Sequence, residues 1–214
     1  MKYEINVPEN LNEVTLGQYQ EFIKLDIDNE NLLGQKMVEI FCNVNELIVR
    51  NMKASDIIDI CNLLNEMFAT KHQLINKFNM NGVAYGFVPD LNDMTFGEYV
   101  DIDMYIGDIQ NMHLAMNVLF RPIELKRKDK YKIAEYNPQD AEKMKDMPLD
   151  VCLGAMVFFW NLGMELSQVM MDYSIKNNEE NLMRYLNSAQ NGDGTPVSMD
   201  SLKAILQDLK ISLN

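Results

Sequence analysis

The sequence predicts a mainly α-helical protein with a minor β-ribbon, built from two tandem, similar strand-plus-helices halves and a helical C-terminal tail. Three observations predict it. One word occurs twice, as Leu11-Asn12-Glu13-Val14-Thr15-Leu16-Gly17-Gln18-Tyr19 and as Leu91-Asn92-Asp93-Met94-Thr95-Phe96-Gly97-Glu98-Tyr99. Apolar residues elsewhere recur mostly at helical spacing. The few alternating or β-rich runs are short, and one precedes each copy of the word and ends at a proline, Pro8 or Pro89.

Taken in order, residues 3–7 are expected to form a strand that Pro8 ends. Thr15 is placed as an N-cap, and Gln18 three residues on completes a capping box, so a helix is expected over 15–26. Further helices are expected over 32–50 and over 55–78, the latter capped by Ser55. Ile57, Ile58, Cys61, Leu64, Met67 and Phe68 give that third helix one buried stripe. The second half repeats the plan with a strand at 83–88, the capping box of Thr95 and Glu98, and a helix over 95–106. The strands at 3–7 and 83–88, one per half, are expected to pair. Helices follow at 110–120, ended by Pro122, and at 138–147 and 148–176, with Pro138 and Pro148 at first helical positions. Residues 130–136 are expected to be a strand in a protruding loop. The tail reads as helices at 179–188 and 199–209, the second capped by Ser198, with the breaker run Asn191-Gly192-Asp193-Gly194-Thr195-Pro196 between them.

Downstream of the repeated word, residues 37–41 match 116–120, and Ile58-Asp59-Ile60-Cys61 matches Leu149-Asp150-Val151-Cys152. The spacing between matched positions grows from 80 to 91, which places about eleven additional residues in the second half. The expected organisation is a first half at 1–80, a second half at 81–176 with a basic insertion at 124–138, and a tail or arm at 177–214.

Composition narrows the function. The 214 residues carry 19 Lys and Arg against 32 Asp and Glu, a formal charge of −13, and 47% of them are hydrophobic. That apolar fraction suits a folded globular chain and excludes disorder as the main state. The acidity opposes direct nucleic-acid binding, whose affinity comes from Lys and Arg displacing counterions. The first residues lack the apolar centre of a secretory leader. The longest apolar run, 151–160, is too short to cross a bilayer, so no membrane is expected as a partner. Cys42, Cys61 and Cys152 are odd in number and lie in apolar helical patterns, which suits reduced core thiols.

No catalytic chemistry emerges. His72 and His113 are the only histidines, and neither has metal-ligand spacing to other ligating residues. Nucleophile-elbow, P-loop and dinucleotide-binding patterns are absent. The pairs Asp26/Asp28 and Asp101/Asp103 can hold a divalent ion but read as solvated acidic faces, and the calcium-loop likeness at 187–193 lacks the terminal Glu. No catalytic residue, cofactor or metal is assigned, and an enzyme is not expected. Two groups are candidates for partner binding. Lys126, Arg127, Lys128, Lys130 and Lys132 form the single basic cluster of an acidic chain, suited to the acidic face of a further copy in head-to-tail contact. Phe158, Phe159 and Trp160, with Met170 and Met171, line one long helix and suit either an adaptable partner groove or the core.

The words Leu91-Asn92-Asp93-Met94-Thr95-Phe96-Gly97-Glu98-Tyr99-Val100-Asp101-Ile102-Asp103, Met112-His113-Leu114-Ala115-Met116-Asn117-Val118-Leu119-Phe120-Arg121-Pro122-Ile123 and Met147-Pro148-Leu149-Asp150-Val151 carry a family resemblance. They resemble small acidic structural and assembly proteins of tailed bacteriophages, including phages of Bacteroidetes and marine hosts, over roughly residues 3–170. The resemblance implies a non-enzymatic virion protein, a homo-oligomeric ring component of the head-to-tail connector or tail. Such a protein is assembled in the bacterial host cytoplasm and binds other phage structural proteins. The alternative that it implies is a tail assembly chaperone, which holds an apolar helical client and is absent from the mature virion.

Overall fold

The computed structural model describes residues 5–128 and 130–177, with side chains as far as Glu165. Helices α1 (Leu16–Ile23), α2 (Glu30–Phe41), α3 (Glu46–Val49) and α4 (Ala54–Phe68) come first. Strands β1 (Lys77–Met80) and β2 (Val83–Phe87) follow, then a 3-10 turn at Leu91–Asp93 and helices α5 (Phe96–Tyr105) and α6 (Met112–Leu119). Strands β3 (Phe120–Arg127) and β4 (Lys130–Ile133), a 3-10 segment at Pro138–Asp146 and the long helix α7 (Leu149–Asn177) complete the order. Helix therefore outweighs strand, and the four strands form one antiparallel sheet in the order β1-β2-β3-β4. The expected tail helices at 179–188 and 199–209 lie outside the described residues.

Both expected capping boxes form. The Thr15 hydroxyl accepts from the Gln18 amide, and the Gln18 side chain accepts from the Thr15 amide at 2.9 Å. Thr95 and Glu98 do the same for α5, the returning bond being 2.6 Å. Each satisfies amides that the helix itself leaves open.

Several expected elements are corrected. Residues 5–7 are not a strand; Ile5 and Val7 pack instead on Val38, Cys42 and Val49, and the neighbours of β2 are β1 and β3. The helix expected over 32–50 breaks because Asn43 takes a left-handed conformation, with Val44 N–H bonded to the Glu39 carbonyl and Asn43 N–H to the Ile40 carbonyl. That pair of bonds is a Schellman stop, and asparagine is one of the few residues that tolerate its geometry. The helix expected over 55–78 starts earlier, capped at Lys53 without a side-chain bond, while Ser55 bonds to Asp56. It ends at Phe68, and Phe78 lies in β1. The cause is the hairpin turn Asn81-Gly82, both residues at positive φ, which joins β1 to β2 with Met80 opposite Val83. Pro122 does not stop a helix but sits inside β3. Its carbonyl faces β4 and accepts from Ala134 N–H, so its missing N–H falls where β4 ends.

Beside a smaller cluster of Val38, Cys42 and Val49, the main core runs from Leu11 to Trp160. Its centre is the start of α7, where residues 149 and 151–156 are buried on every side. The segment before it closes on α1 through a main-chain bridge. Leu16 N–H bonds to the Met147 carbonyl at 2.9 Å and Leu149 N–H to the Val14 carbonyl at 2.8 Å, around the pair Thr15 and Pro148. A second clamp is reciprocal: Gln20 donates to the carbonyls of Ile109 and Gln110, and Gln110 donates to the Gln20 carbonyl. Connector 71–76 crosses α7 so closely that a Cβ on Gly154 would run into the Gln73 carbonyl oxygen.

Gly154→Ala is expected to destabilise the chain by about 3 kcal/mol, the upper end of the range for overpacking, since a backbone carbonyl cannot yield as a side chain does. Gly97→Ala, with open space around it on α5, is expected to be neutral or to stabilise by up to about 1 kcal/mol. Urea denaturation of both variants checks the contrast.

Candidate functional site

The basic cluster lies on one exposed hairpin. Lys126 and Arg127 end β3, Lys128 takes a left-handed conformation at the tip, and Lys130 and Lys132 belong to β4. All five are exposed, and among the described residues only Lys132 forms an ion pair, with Glu124 at 3.5 Å. The hairpin is anchored at its base. Tyr131 lays its ring over Gly86, donates its hydroxyl to the Phe87 carbonyl at 2.7 Å and carries Lys77 4.7 Å above the ring centre.

The aromatic candidates are engaged within the chain. Trp160 is buried, and Phe158 and Phe159 are half-buried, packed on each other and on Phe87. Met170 and Met171 lie on α7 beyond the residues with described side chains. One rim is still shared: Phe158 and Lys130 line the same open groove of about 810 Å³, together with Lys77, Phe87 and Tyr131.

The most exposed apolar surface is one that the sequence pattern does not single out. Phe96 is 82% exposed, Met104 62%, Tyr99 54% and Val100 38%, and all four lie on α5. The opposite side of the same helix buries Glu98 and Ile102, and Ile106, which caps its end, is buried as well. A signal was present, because α5 carries apolar residues on two opposed sides and a surface helix can bury only one of them.

Behind that face, Glu98 ties α5 to β3. Its carboxylate accepts from the Thr95 amide and hydroxyl and pairs with the Arg121 guanidinium at 2.7 Å, both side chains being largely withdrawn from water. Burial alone would raise the Glu98 pKa. The Thr95 bonds and Arg121 outweigh it and hold the carboxyl below the usual carboxylate range. The corresponding Gln18 of α1 is uncharged and donates to the Ile40 carbonyl at 2.7 Å.

His113 is buried between Gln20 and Glu142, at 3.2 Å from each, and burial with the nearby Lys145 lowers its pKa against the pull of Glu142. His72 is likewise lowered by burial, and its Nε2 has no hydrogen-bond partner among the described residues. Asp101 accepts from the Tyr136 hydroxyl at 2.8 Å. The three cysteines are free, and burial pushes the Cys42 thiol up to about 11. Among the described residues no three His, Cys, Asp or Glu side chains converge as a metal site, and no helix is long and apolar enough to cross a membrane.

No protein-family model matches the chain, and neither a curated protein nor a solved structure does.

Glu98→Gln keeps the capping box, in the chemistry that Gln18 already uses, but leaves Arg121 without its counter-charge. It is expected to cost about 1–3 kcal/mol at neutral pH. A carboxyl lowered in the fold stabilises above its unfolded pKa and loses that contribution as pH falls through its folded value. The gap between wild type and variant should therefore be full above about pH 5 and close on acidification, as read by denaturation midpoints across pH.

Proposed function

We propose that this chain is a non-enzymatic structural protein of a tailed-bacteriophage virion. It serves as a ring component of the head-to-tail connector or tail, acts through contacts with its own copies and other phage structural proteins, and is assembled in the host cytoplasm. The observation that carries the reading is the pair of unlike surfaces on one acidic body, the apolar outer side of α5 and the basic β3–β4 hairpin. Unlike surfaces on one protomer suit heterologous contacts, and these close into rings when the rotation permits.

The reading includes a tandem duplication, and local hydrogen bonding supports it. Asn10 and Asp90 each accept from the amide two residues on, at 3.0 and 2.9 Å, just before the two capping boxes. Asn45 and Asn137 each cap a short helical segment in the same way, at 2.8 and 3.2 Å. Those segments end alike, with Met52 N–H on the Val49 carbonyl and Met147 N–H on the Met144 carbonyl. Matched on these bonds, α3 and α4 correspond to the 3-10 segment and α7. The tail assembly chaperone is the second reading, favoured by the groove whose aromatic wall, Phe87 and Phe158, lies between Lys77 and Lys130.

Quantitative mass spectrometry of purified particles against the infected-cell lysate separates the two. A fixed copy number per particle, on the order of a dozen for a closed connector ring, is expected. Abundance in lysate with absence from particles would overturn the structural role in favour of the chaperone.

A further inference from the structure

The two capping segments make the same internal bonds but differ in what lies over them. Around Thr15, the Val14 carbonyl and Leu16 N–H are bonded to Leu149 and Met147, Leu16 is fully buried, and a Cβ on Gly17 would lie 3.2 Å from Lys145 Cβ. Around Thr95, the equivalent Met94 carbonyl and Phe96 N–H make no backbone bond among the described residues. Phe96 stands in solvent and nothing approaches Gly97.

The chain also holds a spare copy of what closes the first segment. The start of α4 follows the same turn as the start of α7, so Met52-Lys53-Ala54 matches Met147-Pro148-Leu149, a register about one helical turn away from the sequence match of Ile58-Asp59-Ile60-Cys61 with Leu149-Asp150-Val151-Cys152, which these bonds replace. The Met52 carbonyl and Ala54 N–H likewise make no backbone bond among the described residues. These are the very groups that would complete a bridge to Phe96 N–H and the Met94 carbonyl. Charge agrees at one position, since Lys53 stands at the corner and Asp90 and Asp93 precede Thr95, while Arg50 is paired with Glu46 at 3.1 Å.

From this match we infer that the outer side of α5 is a docking surface for a second copy of the chain, which inserts the start of its α4. Met52-Lys53-Ala54 of one copy pairs with Met94-Thr95-Phe96 of the next, as Met147-Pro148-Leu149 pairs with Val14-Thr15-Leu16 within the chain. Phe96 and Tyr99 are covered by the arriving helix. Each chain then offers one acceptor and one donor, so the contact is head-to-tail and propagates from copy to copy. The inference rests on the duplication and self-association of the proposed function and names the surfaces that carry them.

The bridge within the chain gives a direct test. Residues 17 and 145 correspond to 97 and 50, and a Cβ on Gly17 would lie 3.2 Å from Lys145 Cβ, a little inside the roughly 3.5–4.5 Å that a disulfide spans. Full-length Gly97→Cys and Arg50→Cys variants, carrying tags of different size, are mixed and mildly oxidised, with wild type as the control for Cys42, Cys61 and Cys152. The mixed disulfide dimer is expected in about tenfold excess over either homodimer, because a heterologous contact keeps like positions apart. Phe96→Asp added to the Gly97→Cys variant should abolish it while the fold, read by circular dichroism, stays intact. Three results overturn the inference: folded variants that give no mixed disulfide, a predominance of Gly97→Cys homodimers, or a Gly97→Cys monomer whose introduced thiol is shielded from maleimide by its own chain. The outcome is separable from the virion assignment. A mixed disulfide from a protein absent from particles keeps this contact and removes the virion role, and the reverse result removes only the contact.

Discussion

The short main-chain bridge between Val14-Thr15-Leu16 and Met147-Pro148-Leu149 is the constraint on which the rest of the structure depends. In its first two turns helix α7 buries every residue except Asp150, so its apolar pattern alone says little about how it is turned. What fixes its rotation and depth is where it begins. The bridge sets that point against α1, Pro148 contributes no N–H that would need a partner there, and Leu149 spends its otherwise open amide on the Val14 carbonyl. The clamp of Gln20 and Gln110 holds the other end of α1 to the turn before α6. Between these two fastenings the methionines Met112, Met116, Met144, Met147 and Met156 fill the interior, where unbranched thioethers fit irregular gaps that branched side chains leave open.

The two capping boxes show how one local device is put to different use. In the first, an uncharged Gln18 spans from its own helix start to the Ile40 carbonyl at the end of α2. In the second, Glu98 reaches Arg121, on the strand that leaves α6. Charge enters only where the next element is the sheet and a guanidinium has to be accommodated beneath it. The first box is roofed by the chain and the second is not, and this single asymmetry accounts for the largest apolar exposure on α5.

What was legible in the sequence was local. Thr15/Gln18 and Thr95/Glu98 announce themselves because a capping box is a pattern of side chain and amide within one turn. The start of α7 was legible to within one residue, at Leu149 just after Pro148, and the basic hairpin was legible as well. Helix ends were harder. Apolar spacing continues past residue 41 and past residue 68, and the chain stops there through the left-handed Asn43 and the pull of the sheet rather than through a proline. Asn81-Gly82 was a hairpin signal in plain view, but the helical stripe of the preceding segment masked it. Periodicity places apolar residues on two opposed sides of α5, which signals that one of them stays open, but it does not tell that the open side is that of Phe96, Tyr99 and Met104. For the aromatic run of α7 the two readings, groove or core, have the same spacing; Trp160 is buried, while Phe158 and Phe159 are half-buried against Phe87 and Phe158 also lines the open groove.

The central claim is that one capping segment is built twice, closed once by the chain itself and once by a neighbour. Residue-resolved amide hydrogen exchange over a range of protein concentrations tests it most directly. Leu16 N–H should be protected at every concentration, whereas Phe96 N–H should exchange freely in the dilute monomer and become protected as the chain associates. Protection of Phe96 in the monomer, or free exchange there once the chain has associated, would contradict it.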